Sequence, residues 1–406
     1  MNRDIRAIVI STSSSFFLWG IIAAIGPLAA SGSVVGSVAG WAKVVLLITG
    51  PISMLFGSLI MGYLADRVGR RRVFLWTMPA YSAGLVLIVI SALLGSLYGT
   101  IAGLAVAEFG IGGEEPPSLS LLTENTPPSD RERYLTLVPN FNNMGSALIA
   151  GLLLVSHINF AYIILASAAS LIAVMAYSRV HLLESFRWLR RAGDERNADD
   201  VKARVGVTSE GRPVAHPGYF IGITALVTMG VSQFLTFGLM AYIIGPYEFV
   251  SPIFDAQIIF MATIGASIGG FMAARLIVRG RRSYTLYSYL GGFITMIAIF
   301  FLVSSLGRLL VFLPLLFFNM VMSEFCWASR TTLEPELFPT RIRGLGIGFI
   351  RVFPYVAYIL SIYLTSSYDI YDFLLLNLAL WSLGLGGALL WYLGGYETRG
   401  IDPDYP

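Results

Sequence analysis

The chain has 406 residues, of which 56% are hydrophobic and only 13% charged, with a mean hydropathy of +0.73 and a formal net charge of +3. Soluble domains carry roughly 25% charged residues, so this composition excludes a soluble globular protein and is that of an integral membrane chain. The few charges gather between apolar runs, where they bear on topology and not on nucleic-acid binding.

A helix needs about 20 apolar residues to cross roughly 30 Å of hydrocarbon. The segments that qualify are Ala7 to Ala29, Trp41 to Leu64, Val73 to Leu94, Tyr98 to Leu122, Tyr134 to Val155 and Ile158 to Ser178, then Gly218 to Ile243, Asp255 to Val278, Ser283 to Val303, Leu309 to Thr332, Gly344 to Thr365 and Ile370 to Leu393. Their length requires helices, because lipid leaves the backbone only its own hydrogen bonds and spanning strands would be about half as long. The expected fold is therefore all-α, with twelve transmembrane helices. Arg3 and Arg6 ahead of the first apolar run imitate a secretory signal, but that run is long enough to span and is read as a retained first helix.

Arginines sort by connection. Arg67 to Arg72, Arg131, Arg133, the cluster from Arg179 to Arg212, Arg275 to Arg282, Arg341 and Arg343 fall in even-numbered connections, while odd-numbered ones hold little beyond Lys43 and Arg308. The positive-inside rule then puts both termini of a multi-pass plasma-membrane protein in the cytoplasm. One long charged connection divides the chain into residues 1–179, a linker at 180–217 and residues 218–406; its ERNADDVKAR stretch reads as a short amphipathic helix.

The two halves repeat. Glu124-x-x-Pro127-x-x-x-Arg131 returns as Glu336-x-x-Pro339-x-x-x-Arg343, 212 residues later, and Gly62-x-x-x-Asp66-Arg67 returns as Gly270-x-x-x-Ala274-Arg275. Gly69-Arg70-Arg71 matches Gly280-Arg281-Arg282 after three extra residues in the second copy. Such duplication predicts two pseudo-symmetric six-helix bundles with a solute site near the midplane between them.

The stretch GYLADRVGRRR from Gly62 to Arg72 resembles the Gly-x-x-x-Asp-Arg-x-Gly-Arg-Arg loop between the second and third helices of the major facilitator superfamily of transporters. ESFRWLRRAG from Glu184 to Gly193 resembles the signature after the sixth helix in the sugar-porter and organic-ion branch, with Leu183 in place of its proline. Glu397-Thr398-Arg399-Gly400, Gly112-Gly113-x-x-Pro116 and PELFPTRIRGLGIG resemble other motifs of that branch and of aromatic-acid:proton symporters. The resemblance implies alternating access, with Asp66, Arg67, Arg70, Glu124, Arg131, Glu184, Arg187, Glu336, Arg343, Glu397 and Arg399 bridging helix ends as a cytoplasmic gate. Because Ala274 stands where Asp66 stands in the first copy, the gate is expected to be asymmetric, with that acidic partner in the first half only.

Charges inside the spans cost roughly 2.5 to 3.5 kcal/mol each at a helix centre and are kept for function. The fourth span carries Glu108, Glu114 and Glu115, the tenth Glu324 and the eleventh Arg351. Glu108 and Glu115 are seven residues apart and share a helical face, whereas Glu114 turns away by about 100°; Pro116 and Pro117 are expected to break the helix just after them. Glu324 and Arg351 lie at similar depth, so Arg351 is expected to neutralise Glu324 or a solute carboxylate while a fourth-span glutamate takes up a proton. Asn140, Asn142, Asn143, Gln233, Tyr355 and Tyr358 complete the candidate polar lining.

These features predict a secondary transporter of a small organic solute, by expectation an organic acid moved with protons and by a monomer in the bilayer. The seventh span lacks the paired glutamines and asparagine of sugar porters, which disfavours a sugar, although a sugar or polyol porter, a drug exporter or a non-transporting sensor of the same fold stay open. His157, His181 and His216 are isolated and the single cysteine is Cys326, so no metal site or cofactor is expected. Neither Lys43 nor Lys202 follows a phosphate-binding loop, which leaves no engine for nucleotide-driven pumping and no enzyme reading.

Overall fold

The computed structural model describes residues 3–155, 159–207, 219–249, 251–277, 280–306, 309–400 and 402. His157, His216, Arg308 and the linker from residue 208 onward lie outside these. In chain order the helices are α1 (Arg3–Ala30), α2 (Gly40–Val68), α3 (Arg70–Leu93), α4 (Leu97–Gly112), α5 (Glu115–Asn125), α6 (Arg131–Val155) and α7 (Phe160–Val180). The short linker helices α8 (Phe186–Arg191) and α9 (Glu195–Val205) follow. Then come α10 (Tyr219–Gly238), a π-helical turn at Leu239–Ile243, α11 (Ile244–Glu248), α12 (Pro252–Leu276), α13 (Arg281–Leu306), α14 (Leu309–Leu337), α15 (Arg343–Thr365) and α16 (Ile370–Gly394).

Eleven of these stretches, with α10 through α11 taken as one, are long and apolar enough to cross a bilayer. The twelfth crossing is α4 followed by α5, which escapes a length criterion because it is broken at Gly113 and Glu114. The break expected at the prolines, just after the acids, thus falls earlier, between Glu108 and Glu115. Pro116 and Pro117 sit in the first turn of α5, where a missing N–H removes no helical hydrogen bond, so the chain breaks ahead of them.

The expected loop at GYLADRVGRRR is also corrected. α2 runs on to Val68 and α3 begins at Arg70, so only Gly69 separates them, with φ of +107°. Hydropathy stops where the charges start; the helix stops where a residue must enter a backbone region that glycine alone enters freely. By the same distinction α14 runs five residues beyond the expected Thr332, to Leu337.

The helices form two bundles, α1–α7 and α10–α16. They meet along two seams that the repeat relates, α2 against α15 and α12 against α6. Small residues let the backbones close. A Cβ on Gly20 of α1 would lie 1.8 Å from the Asn142 carbonyl oxygen of α6, and one on Gly145 would lie 1.9 Å from that of Phe17. Gly20→Ala is therefore expected to force α1 and α6 apart at a cost of about 1–3 kcal/mol, read as a lower melting temperature in detergent; an unchanged melting temperature would contradict this packing. Gly265 and Gly269 serve the α12–α14 crossing in the same way, facing the Phe317 and Val321 carbonyls. Large apolar side chains such as Phe220 and Leu310 are more than four-fifths exposed, which suits lipid contact and not water.

Candidate functional site

At the end of the molecule that carries α8 and α9, two clusters of acids and arginines join the bundles. In the first, Gly62 allows α2 to approach α15 so closely that a Cβ there would meet the Gly344 carbonyl at 2.5 Å. One turn on, Asp66 accepts from the Gly344 and Leu345 N–H groups at 3.1 and 2.9 Å, capping α15 from the opposite bundle. Another turn on, Arg70 reaches Asp66 at 3.2 Å, Glu124 at 2.9 Å and the Thr340 carbonyl at 3.0 Å, while Arg343 holds Glu124 from the other side at 2.5 Å. Glu184 accepts from the backbone N–H groups of Arg70 and Arg71 at 3.0 and 3.1 Å. Burial pushes its carboxyl above the usual carboxylate range, against the opposing pull of the Ser185 N–H and of Arg70.

The second cluster repeats these parts. Arg281 is ion-paired with Glu336, Arg131 stands 4.0 Å from Glu336, and Glu397 accepts from the Arg281 N–H at 3.0 Å. Arg281 also meets Glu132 at 3.0 Å, and a half-exposed Arg399 lies 3.6 Å from the same acid. The second half supplies no acid at Ala274, and the acid that meets Arg281 in its place comes from the first bundle, as Glu132 of α6. One other expectation changes. Arg67 is exposed and lies over the Tyr63 ring, because one residue past Asp66 it has turned about 100° from the seam. Arg187 pairs with Asp402 at 2.7 Å. The linker itself crosses the seam: Trp188 donates to the Asp66 carbonyl at 3.0 Å, and Arg191 reaches the Asp66 and Arg341 carbonyls at 3.3 Å.

Deeper in, the bundles enclose a cavity that, with its open mouth counted, holds about 870 Å³ of empty space. Glu108, Asn142, Gln233 and Arg351 are among its polar lining residues. Its aromatic wall includes Trp19 and Trp327, which meet edge to face at 6.0 Å across the two bundles, and Phe234, edge-on to Tyr358 at 5.4 Å. The π-helical turn brings in Tyr242, whose hydroxyl shares a 2.8 Å hydrogen bond with Ser146 of the other bundle.

Arg351 is held by Glu115 at 2.5 Å and by Glu334 at 2.7 Å. Glu334 also meets Arg330 at 3.0 Å, and Arg330 donates to the Gln233 side-chain oxygen at 2.6 Å. Two arginines thus face two carboxylates, a quartet with no net charge when all four are ionised. Glu108 is different: among the described residues it has no ion-pair partner, one of its buried oxygens has no hydrogen bond, and its carboxyl lies so close to Gly50 that a Cβ there would be 3.2 Å away.

The expected pair of Glu324 with Arg351 does not form. Glu324 accepts instead from Asn143 at 2.8 Å, and Asn143 bonds the Asn140 side-chain oxygen at 3.2 Å, all in the seam and outside the cavity lining. Similar depth did not imply a shared azimuth. Tyr355 stands behind Phe234, ring to ring at 5.0 Å, and is also outside the lining. Glu114 faces away: Arg179 binds it at 2.6 Å and Thr77 donates to it at 2.5 Å, inside the first bundle. Arg330, Glu334, Arg179, Glu132 and Arg281 were missing from the expected sites. The i,i+4 spacing of Arg330 and Glu334 was a usable signal, concealed by ending the tenth span at Thr332.

A family model described as Major Facilitator Superfamily matches residues 8–362. The chain belongs to that superfamily. Its members are membrane transporters, as the resemblance of the helix-end motifs implied. Among similar proteins is a putative niacin/nicotinamide transporter, NiaP, of Bacillus subtilis, 29% identical over 309 residues that cover 74% of this chain and 73% of that protein. The niacin transporter NiaP of Acinetobacter baylyi is 26% identical over 330 residues, covering 74% and 72%. A minor myo-inositol transporter of Bacillus subtilis, IolF, is 27% identical over 203 residues, 48% of this chain and 43% of that one. In fold, the chain matches the proton:xylose symporter XylE bound to 6-bromo-6-deoxy-D-glucose with a TM-score of 0.80 at 15% identity, covering 99% of this chain and 98% of that one. An inward-open XylE from E. coli matches with a TM-score of 0.71 at 16% identity and the same coverage.

Proposed function

We propose that this transporter carries a small aromatic organic anion of the pyridine-carboxylate type across the plasma membrane in symport with a proton. The observation that carries the reading is Arg351 in the wall of an aromatic-lined cavity between the bundles. A guanidinium matches a carboxylate in bidentate geometry, and Trp19, Trp327 and Phe234 offer faces and edges to a flat ring. The niacin transporters among the relatives support the same solute class. Movement would follow from rocking residues 1–179 against 218–406, with 180–217 as a cytoplasmic linker and both termini on the cytoplasmic side.

Charge supplies the coupling. The Arg351, Arg330, Glu115, Glu334 quartet is balanced, so an entering carboxylate leaves one uncompensated negative charge in a medium of low dielectric constant. One proton per anion removes it. Glu115 is the group whose place on Arg351 the solute takes, and once displaced it leaves as the neutral acid; the unpaired Glu108 beside it also repels an anion unless protonated.

Purified protein in liposomes, given labelled nicotinate and an inward proton gradient, should accumulate the label, with competition by benzoate and weak competition by the uncharged nicotinamide. Glu115→Gln should abolish stimulation by the gradient and retain exchange of internal for external solute. A loss of coupling in Glu324→Gln with Glu115→Gln intact would move the proton to the α6–α14 seam and overturn this assignment. A polyol reading is favoured by the myo-inositol transporter among the relatives and by the amides of Asn142 and Gln233 in the cavity. Competition by myo-inositol or xylose at the same concentrations as nicotinate would decide for it.

A further inference from the structure

We infer that Glu132 is the acid of the second gate, moved across the bundle seam from the position that Ala274 occupies, so that the cytoplasmic closure of this protein rests on two acids of the first bundle, Asp66 at one seam and Glu132 at the other, both facing the second bundle. The inference concerns the gate alone, and it rests on the alternating-access reading given above.

The repeat makes the comparison residue by residue. Arg70 corresponds to Arg281, Glu124 to Glu336, Arg343 to Arg131 and Glu184 to Glu397, and each acts alike: an arginine at a helix start bound to its own bundle's glutamate, a facing arginine from the other bundle, and a glutamate accepting from the helix's first N–H. One pair of positions is exchanged. In the first half the acid is Asp66 on α2, and it faces Gly344 at the second position of α15. The repeat carries Asp66 to Ala274 and Gly344 to Glu132, which sits at the second position of α6. The acid has changed sides.

Packing explains why both sides cannot carry one at the first seam: a Cβ on Gly344 would meet the Gly62 carbonyl at 2.5 Å and the Asp66 carboxylate at 3.1 Å. At the second seam Glu132 is 1% exposed and its two oxygens meet Arg281 at 3.0 Å and Arg399 at 3.6 Å. It also lies in the first turn of α6, where a negative charge offsets the helix dipole as Asp66 does for α15.

The exchange has a consequence for switching. Asp66 keeps its partner Arg70 within its own bundle whichever way the bundles rock, whereas Glu132 and Arg281 are in different bundles and part when the cytoplasmic end opens. Opening then strands a buried-state pair on both sides, so Glu132 contributes to the closed state only.

The test uses the full-length protein in inverted and right-side-out liposomes, with Cys326→Ser and a reporter cysteine in place of Ser118, a buried residue of α5 between the cavity and Glu124. Glu132→Gln should raise the rate of reporter modification by a membrane-impermeant maleimide from the cytoplasmic face about tenfold, equivalent to about 1.4 kcal/mol lost from the closed state, since Arg281 keeps Glu336. Glu132→Asp should keep the slow rate, and Ala274→Asp added to Glu132→Gln should restore it, because the acid returns to the side it holds in the first half. Melting temperature in detergent is followed alongside to separate gating from unfolding. An unchanged modification rate in Glu132→Gln, or a rise that Ala274→Asp does not reverse while melting stays unaltered, overturns the inference. Because labelling needs no solute, failure of the solute assignment leaves this result readable.

Discussion

Arg351→Gln should abolish uptake in liposomes and lower the stability of the protein at the same time, for two separable reasons. Arg351 is the shared partner of Glu115 and Glu334, at 2.5 and 2.7 Å, in a site with no exposure to speak of. Removing one member of a buried ion cluster leaves the others uncompensated, at a cost of about 3–5 kcal/mol. A clear fall in melting temperature is therefore expected. Adding Glu334→Gln removes one stranded charge and should recover most of the melting temperature, since Arg330 keeps its bond to Gln233. Transport should not recover, because the cavity still lacks the guanidinium proposed to receive the solute carboxylate. Arg351→Lys should fall between, with a point charge in place of a planar fork. Uptake by the doubly substituted protein at the native rate would refute the role given to Arg351.

Asp66→Ala should slow the transport cycle while leaving the affinity for solute nearly unchanged. Asp66 lies far along α2 from the cavity and touches none of its lining; its bonds are to the first turn of α15 and to Arg70. Losing a helix cap of this kind costs on the order of 2 kcal/mol, about a thirtyfold shift between closed and open cytoplasmic ends. A solute that binds both states equally well does not feel that shift in its dissociation constant, whereas net uptake, which needs both states, does. Binding measured by calorimetry in detergent and uptake measured in liposomes make the comparison. A large loss of affinity with an intact cycle would show that Asp66 shapes the solute site instead.

The charged clusters at the helix ends were legible in the sequence to the extent that spacing carries them. Glu124, Arg131, Glu336 and Arg343 stand at repeat-related positions, and the structure brings them together where the repeat implied. Arg67 failed because a motif position does not state the direction of a side chain, and one residue along a helix turns it about 100°. The fourth span shows the limit most clearly. Counting seven residues from Glu108 to Glu115 assumes one unbroken helix, but the break at Gly113 and Glu114 resets the phase. Glu108 then lines the cavity, Glu114 joins Arg179 inside the first bundle and Glu115 reaches Arg351.

The sequence by itself determined the membrane class, the twelve crossings, the duplication and the chemistry at the helix ends. All of these are local or periodic properties, written in hydropathy along single segments and in spacing repeated at a constant interval. Only the tertiary structure decided which carboxylate neutralises which arginine: Glu115 and Glu334 with Arg351 instead of Glu324, Glu132 with Arg281 where Ala274 left a gap. Charge pairing in a helical bundle depends on the rotation and tilt of each helix about its own axis, and those are set by where glycines let backbones meet and where chains break. Depth along the membrane normal is encoded in the order of residues; azimuth is settled when the helices pack.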